Sequence, residues 1–399
     1  MHEVIFFLNN NLDKKLLAFG GGEPHLEGTN FAIGDWNNFI RRNRGKYIFG
    51  FLTYDVKNEI ENLKSENEER VPFPRMFFYS PEVVVEITED GKYQYIQGKE
   101  SDSNNKFIAD FLNVNDSYNG NKVELIPQIS REEYLERVGF LKEHIQRGDI
   151  YEVTFCQEFY SSKAKIDPVS TYFRLNDKTN APFSCYVKFK DKHLISGSPE
   201  RFLKRSGNKL ISQPIKGTAR RSSDPVLDQE IRDELYHSPK ERSENVMIVD
   251  LVRNDLSRIA EKNSVLVEEL FGVYSFQTVH QLISTVSAGI STETDFEDCI
   301  KALFPMGSMT GAPKIRAMEL IEKFESFKRG LFSGSVGYFK PNGDFDFNVV
   351  IRSILYDEAE ECISCPVGGA ITIQSDPEQE YEECLLKVEA MKKVLNEHE

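Results

Sequence analysis

The chain has 399 residues, 40% of them hydrophobic, and 49 basic against 64 acidic side chains give a formal net charge of −15. That apolar share suffices for about one large core or two to three ordinary ones, while the acidic balance argues against nucleic acid or an anionic membrane as the main partner. No apolar run approaches the ~18 residues of a membrane span, and no basic-plus-apolar leader is visible, so the expectation is a cytoplasmic protein.

To about Pro127 the chain mixes short strands with turns. Residues 46–54 and 82–88 are strand candidates separated by the charged stretch 57–70, with Phe73, Phe77, Phe78 and Tyr79 packing against them. Polar patches at 99–106 and 113–122 make the best boundary, dividing an N-terminal α+β region (1–126) from a larger domain (127–399). A capping box, Ser130 with Glu133, opens a helix whose buried stripe is Tyr134, Val138, Leu141 and Ile145, and Gly148 ends it. Strands follow at 150–159, 184–189 and 193–196. The turn 197–203 then sets Glu200 between two apolar strands.

The run 208–212 leads into Gln213-Pro214-Ile215-Lys216-Gly217-Thr218, where Pro214 and Gly217 bracket the lysine and suggest a rigid bend. An isolated lysine there is most often a surface turn residue. Its amine becomes a nucleophile where the surroundings lower its pKa. Ser238 and Pro239 start a second helix, with Glu241 and Glu244 three apart and therefore on one face. The last helix repeats the device with Asp376, Pro377, Glu380 and Glu383. Acidic first turns suit the helix dipole, yet four carboxylates in two such pairs also offer oxygen ligands to a hard cation such as Mg²⁺.

Between these helices, His280 sits in an apolar run, where a satisfied core histidine is the commoner outcome. The loop 307–314, with Ser308, feeds a helix from Pro313 whose first amides can receive an anion. Its spacing is not that of a P-loop. Residues 344–355 alternate as a strand carrying Arg352, which needs an anionic partner, structural or substrate. Gly368 and Gly369 let backbone approach something closely, or mark a bulge. The six cysteines (Cys156, Cys185, Cys299, Cys362, Cys365 and Cys384) lie in apolar segments without zinc-site spacing and read as reduced, mostly buried thiols.

From about residue 130 to 394 the segments GSPERFL, PIKGTARR, SENVMIVDLVRNDL, FPMGSMTGAPKIRAMELIE, GSVGYF, DFNVVIRS and GGAITIQSDPEQEYEE follow one another. In that order they resemble the chorismate-utilising enzymes, whose members include anthranilate synthase component I, aminodeoxychorismate synthase component I and the isochorismate and salicylate synthases. The resemblance implies an α+β fold of large antiparallel sheets flanked by helices, with residues 127–399 as the chorismate-binding catalytic domain. It implies a Mg²⁺ site from Glu241, Glu244, Glu380 and Glu383, holding the ring carboxylate with help from amides near Gly368 and Gly369. Arg352 would bind the enolpyruvyl carboxylate and Glu200 would be the general acid. His280, Gly217, Thr218 and Ser308 would line the ring.

Lys216 is similar to the lysine of the aminodeoxychorismate enzymes, where anthranilate synthases have alanine. That branch uses ammonia supplied by a separate glutamine amidotransferase subunit. The water-adding branch carries a lysine where this chain has Glu152. Three positions depart from the pattern: Glu152 stands for the usual glutamine, Phe332 for a tyrosine and Ala370 for a glycine. The expectation is an aminodeoxychorismate-forming enzyme, against anthranilate synthase component I or a non-catalytic scaffold subunit.

Overall fold

The computed structural model describes residues 2–9, 14–21, 26–28, 33–88, 90–114, 122–277 and 279–396. Among them, two large antiparallel sheets of 11 and 10 strands pack face to face. The first runs Gly311–Ala312, Glu152–Ser161, Cys362–Ile371, Ser353–Asp357, Lys192–Ser196, Cys185–Phe189, Val4–Asn9, Lys14–Phe19, Val83–Thr88 and Tyr93–Gln97, with Ile126–Pro127 beside Glu152–Ser161. The second runs Ile215–Arg220, Val279–Gly289, Lys209–Gln213, Arg201–Ser206, Phe345–Asn348, Ser335–Phe339, Ile48–Leu52, Met76–Tyr79 and Leu26–Gly28, with Leu266–Ser275 beside Val279–Gly289. The expected α+β fold of antiparallel sheets and flanking helices is what forms.

Alternation along Val4–Asn9 explains the layering. Phe6 and Leu8 enter the core between the sheets, where the Phe6 ring lies 5.9 Å from Phe49 of the other sheet. Ile5 and Phe7 point the other way, under the helices that supply Phe111 and Tyr172. Removing a ring such as Phe6 from this core should cost ~3–5 kcal/mol.

Both sheets draw strands from either side of residue 126: Phe6 pairs with Val187, and Gly50 with Gly337. The boundary at 126/127 therefore separates no sheet from another. Of its two polar patches, the first is mostly a helix, Asp102–Leu112, capped by Ser101 and burying Ile108 and Phe111. Its polar residues are the solvent face. Part of the second patch, residues 115–121, lies outside the described residues.

The helix starts form as their caps dictate. Ser130 and Glu133 make the capping box, Ser238 Oγ accepts from the Glu241 amide, and Asp376 Oδ1 accepts from the amides of Glu378 and Gln379. Two expectations change. Residues 215–220 form a strand where a rigid bend was expected, and the irregularity is a register shift between Ile215 and Thr218 around Gly217, whose φ is +91°. The run 344–355 is not one strand. Phe345–Asn348 belongs to the second sheet and Ser353–Asp357 to the first, and the chain crosses at 349–352 with Arg352 at φ +50°. The alternation persists because both segments face the same core.

Candidate active site

Lys216 lies where the two sheets come together. Its Nζ donates to Glu152 Oε1 at 2.7 Å, across from the first sheet, and the side chain is 10% exposed. Burial pushes the ammonium toward the neutral form, but the charges of Glu152, Glu244 and Glu200 outweigh it and hold its pKa above the ordinary value. Gly217 keeps its neighbour close: a Cβ there would sit 3.0 Å from Glu241 Oε2.

Glu200 is buried and accepts from Ser308 Oγ at 2.6 Å. Burial raises its carboxyl to about 7, against the opposing pull of the Ser308 hydroxyl, Lys216 and Arg352. A carboxyl of that pKa can be protonated near neutrality and deliver the proton. Ser308 is held by the turn Gly307–Met309, which a buried ion pair fixes: Arg329 donates to Glu325, the Met309 carbonyl and the Thr154 carbonyl.

Glu241 and Glu244 lie on the helix Pro239–Ser257, Glu380 and Glu383 on Pro377–Asn396. Burial lifts Glu244 to about 7, with Glu241 and Glu152 adding to it, and also raises Glu241 and Glu380. Burial would raise Glu383 too, but Lys387, 2.7 Å away, brings it below the ordinary range. The helices meet through charge: Lys240 feels all four carboxylates and lies 3.5 Å from Glu380 Oε1. Among the described residues no three acidic, histidine or cysteine side chains converge as a ready-formed metal centre. The donor set nevertheless suits a hard divalent cation, being all oxygen, crowded with negative charge, and including a buried Glu244 Oε1 with no hydrogen-bond partner.

Gly369 faces these carboxylates; a Cβ there would stand 3.1 Å from Glu380 Oε2 and 3.8 Å from Glu383 Oε1. Gly368 is different, because its close approach is to the neighbouring strand, 2.2 Å from the Phe155 carbonyl for a Cβ. Arg352 is half-buried and its carbonyl accepts from the Gly197 amide; its guanidinium makes no hydrogen bond or ion pair among the described residues and is lowered by burial against the pull of Glu200 and Glu383. Its guanidinium is available to an incoming anion. Thr218 is exposed.

His280 is buried, and its ring is held by partners other than the lysine. Its Nε2 lies 3.0 Å from Asp228 Oδ1 and its Nδ1 2.8 Å from Ser275 Oγ, so both ring nitrogens are engaged in the wall behind Thr218. The residue opposite Thr218 in register is Gln281, and paired residues share a face. Sequence reasoning also missed Asp228, Lys240, Lys387 and the Glu325–Arg329 pair. Two of these carried a signal, a Glu four residues before a cation on one helical face: Glu383 with Lys387, and Glu325 with Arg329.

A family described as chorismate binding enzyme matches residues 17–393. The chain is 36% identical over 368 residues to a protein of Arabidopsis thaliana named aminodeoxychorismate synthase, chloroplastic, covering 87% of this chain and 40% of that one. It is 39% identical over 267 residues to aminodeoxychorismate synthase component 1 of Escherichia coli (strain K12), covering 67% of this chain and 58% of the relative. It thus spans less than two thirds of either. The fold is similar to the crystal structure of anthranilate synthase component I from Streptococcus pneumoniae TIGR4, with TM-score 0.80, 23% identity, and coverage of 96% of this chain and 92% of that one.

Proposed function

The chain belongs to the chorismate-binding enzyme family, and from that membership we propose that it aminates chorismate at C4 to give 4-amino-4-deoxychorismate. The observation that carries this choice is Lys216, its side chain only 10% exposed and hydrogen-bonded to Glu152 of the other sheet. The names of the relatives from Arabidopsis thaliana and Escherichia coli support the same reaction.

In this reading Arg352 holds the enolpyruvyl carboxylate, and the amides by Gly369 face the ring carboxylate. Lys216 Nζ forms a bond to C2. The ring double bonds shift, the C4–O bond breaks, and Glu200 protonates the hydroxyl so that it leaves as water. Ammonia then bonds to C4, the double bonds shift back, and the C2–N bond breaks to free Lys216. Glu241, Glu244, Glu380 and Glu383 would hold Mg²⁺, which when bound supplies positive charge to fix and polarise the substrate carboxylate. The walls around Glu200 and Ser308, both buried, exclude water from the step.

The name component 1 borne by the Escherichia coli relative supports a separate amidotransferase subunit as ammonia source. No helix among the described residues is long and apolar enough to cross a membrane. A cytoplasmic location rests on the six unpaired, buried cysteines. The test is incubation of the purified chain with chorismate, ammonium and Mg²⁺, followed by mass spectrometry. Aminodeoxychorismate that disappears on chelation supports the reading, and unchanged chorismate rejects it.

A further inference from the structure

Lys216 reaches the site from one sheet, yet its hydrogen-bond partner belongs to the other. Glu152 is fully buried, at 0% exposure, and opens the strand Glu152–Ser161. It pairs in register with Ala312, and Gly311 lies so close beneath it that a Cβ there would stand 2.2 Å from the Glu152 carbonyl. One carboxylate oxygen takes the lysine at 2.7 Å; the other, Oε2, is buried with no hydrogen-bond partner. A buried carboxylate oxygen without a partner is costly to keep, and packing alone does not explain it.

We propose that Glu152 positions Lys216 and accepts its proton as the amine attacks the substrate. The inference rests on the reading of Lys216 as the nucleophile. An ammonium has no free electron pair. For the Nζ–C2 bond to form, an Nζ–H bond breaks, its pair becomes the new bond, and the proton passes to Glu152 Oε1. When ammonia expels the lysine, the proton on Glu152 returns with the reformed amine. Glu244 and Glu200 also face the amine electrostatically, but the Ser308 hydroxyl occupies Glu200 Oε1, and Glu200 gives its proton to the departing hydroxyl. The two buried carboxylates thus work in opposite directions, one taking a proton and the other giving one.

The test is rapid quench of the full chain with chorismate and Mg²⁺, without ammonia, read by intact-protein mass spectrometry for a chorismate-minus-water adduct on Lys216. Steady-state rates with ammonium accompany it. Glu152→Gln keeps the shape and an accepting oxygen but cannot take a proton. Adduct formation and kcat should fall about 100-fold, with KM for chorismate within about threefold of wild type. Adduct formation by Glu152→Gln at the wild-type rate, or an equal loss in kcat and rise in KM, overturns the role. A wild-type chain that aminates chorismate without any adduct overturns the lysine reading and this role with it. A wild-type chain that consumes no chorismate overturns the reaction itself.

Discussion

Lys216 carries a conflict that its neighbours define. A nucleophile must be neutral, yet Glu152, Glu244 and Glu200 hold the ammonium against burial. Neutralisation therefore belongs to the loaded site, where added positive charge on the glutamates weakens their hold. Lys216→Ala should lose aminodeoxychorismate formation and divert a fraction of turnover to product substituted at C2, the position the lysine no longer blocks. Chromatography of the products checks this, and wild-type rates of aminodeoxychorismate in the variant would contradict it. Glu200, raised to about 7 by burial, is protonated below that pH and ionised above it. At constant free ammonia, kcat/KM for chorismate should therefore fall as pH rises through about 7, and Glu200→Gln should remove most of the turnover. Lys216, Glu200, Ser308 and Arg352 were legible because each sits in a distinctive local motif. Glu152 was legible only as an oddity, since its meaning arises from a strand in the other sheet, some sixty residues away in sequence. His280 drew attention by residue type, but its side chain turns to Asp228, and residue type does not say which face of a strand a side chain takes.

At the scale of elements, the two helices work by bringing like charges together at one place. Each start is set by a short-range cap, and those caps were readable from Ser238, Pro239, Asp376 and Pro377. The strand–strand crossing at 349–352 was not, because alternation is the same whichever sheet a segment joins. The bulge at Gly217 escaped for a similar reason: Pro and Gly signal irregular backbone, not whether a ladder continues on either side.

Carboxylate crowding has a measurable consequence. Glu244 titrates at about 7 in the folded chain, above the unfolded value of about 4.3. Its contribution to stability is complete below about pH 4.3 and is lost as pH rises through about 7. In chelator, Glu244→Gln should accordingly be more stable than wild type at pH 8, on the order of 3–4 kcal/mol, and the difference should vanish toward pH 4.5. Urea unfolding at several pH values reads this directly. Mg²⁺ should raise the unfolding midpoint of the wild type and leave Glu244→Gln little changed. Equal shifts in both would remove Glu244 from the cation site.

Across the whole molecule, the candidate site draws on both sheets and both carboxylate helices, and the N-terminal strands support it through the shared core. The alternating strand pattern and the capped helices made the α+β class legible. The interleaving of early and late strands was not, because long-range pairing leaves no local mark. Nitrogen supply belongs to this scale. Ammonia must be neutral to attack, and a glutamine amidotransferase needs an activated cysteine. All six cysteines here are buried and free, and burial pushes Cys185, Cys299 and Cys384 up to about 11 to 12, the opposite of activation. The purified chain should use ammonium salts, better at higher pH until Glu200 limits it, and should use glutamine only after a second subunit is added. Glutamine-dependent product from the homogeneous chain would refute that division.

The most direct test of the central claim is the position of nitrogen in the product. Chorismate turned over with ¹⁵N-ammonium and Mg²⁺ by the purified chain, and analysed by NMR, should carry ¹⁵N at C4 with the enolpyruvyl group still attached. Label at C2 with pyruvate released would mean anthranilate formation, and would contradict the role assigned to Lys216.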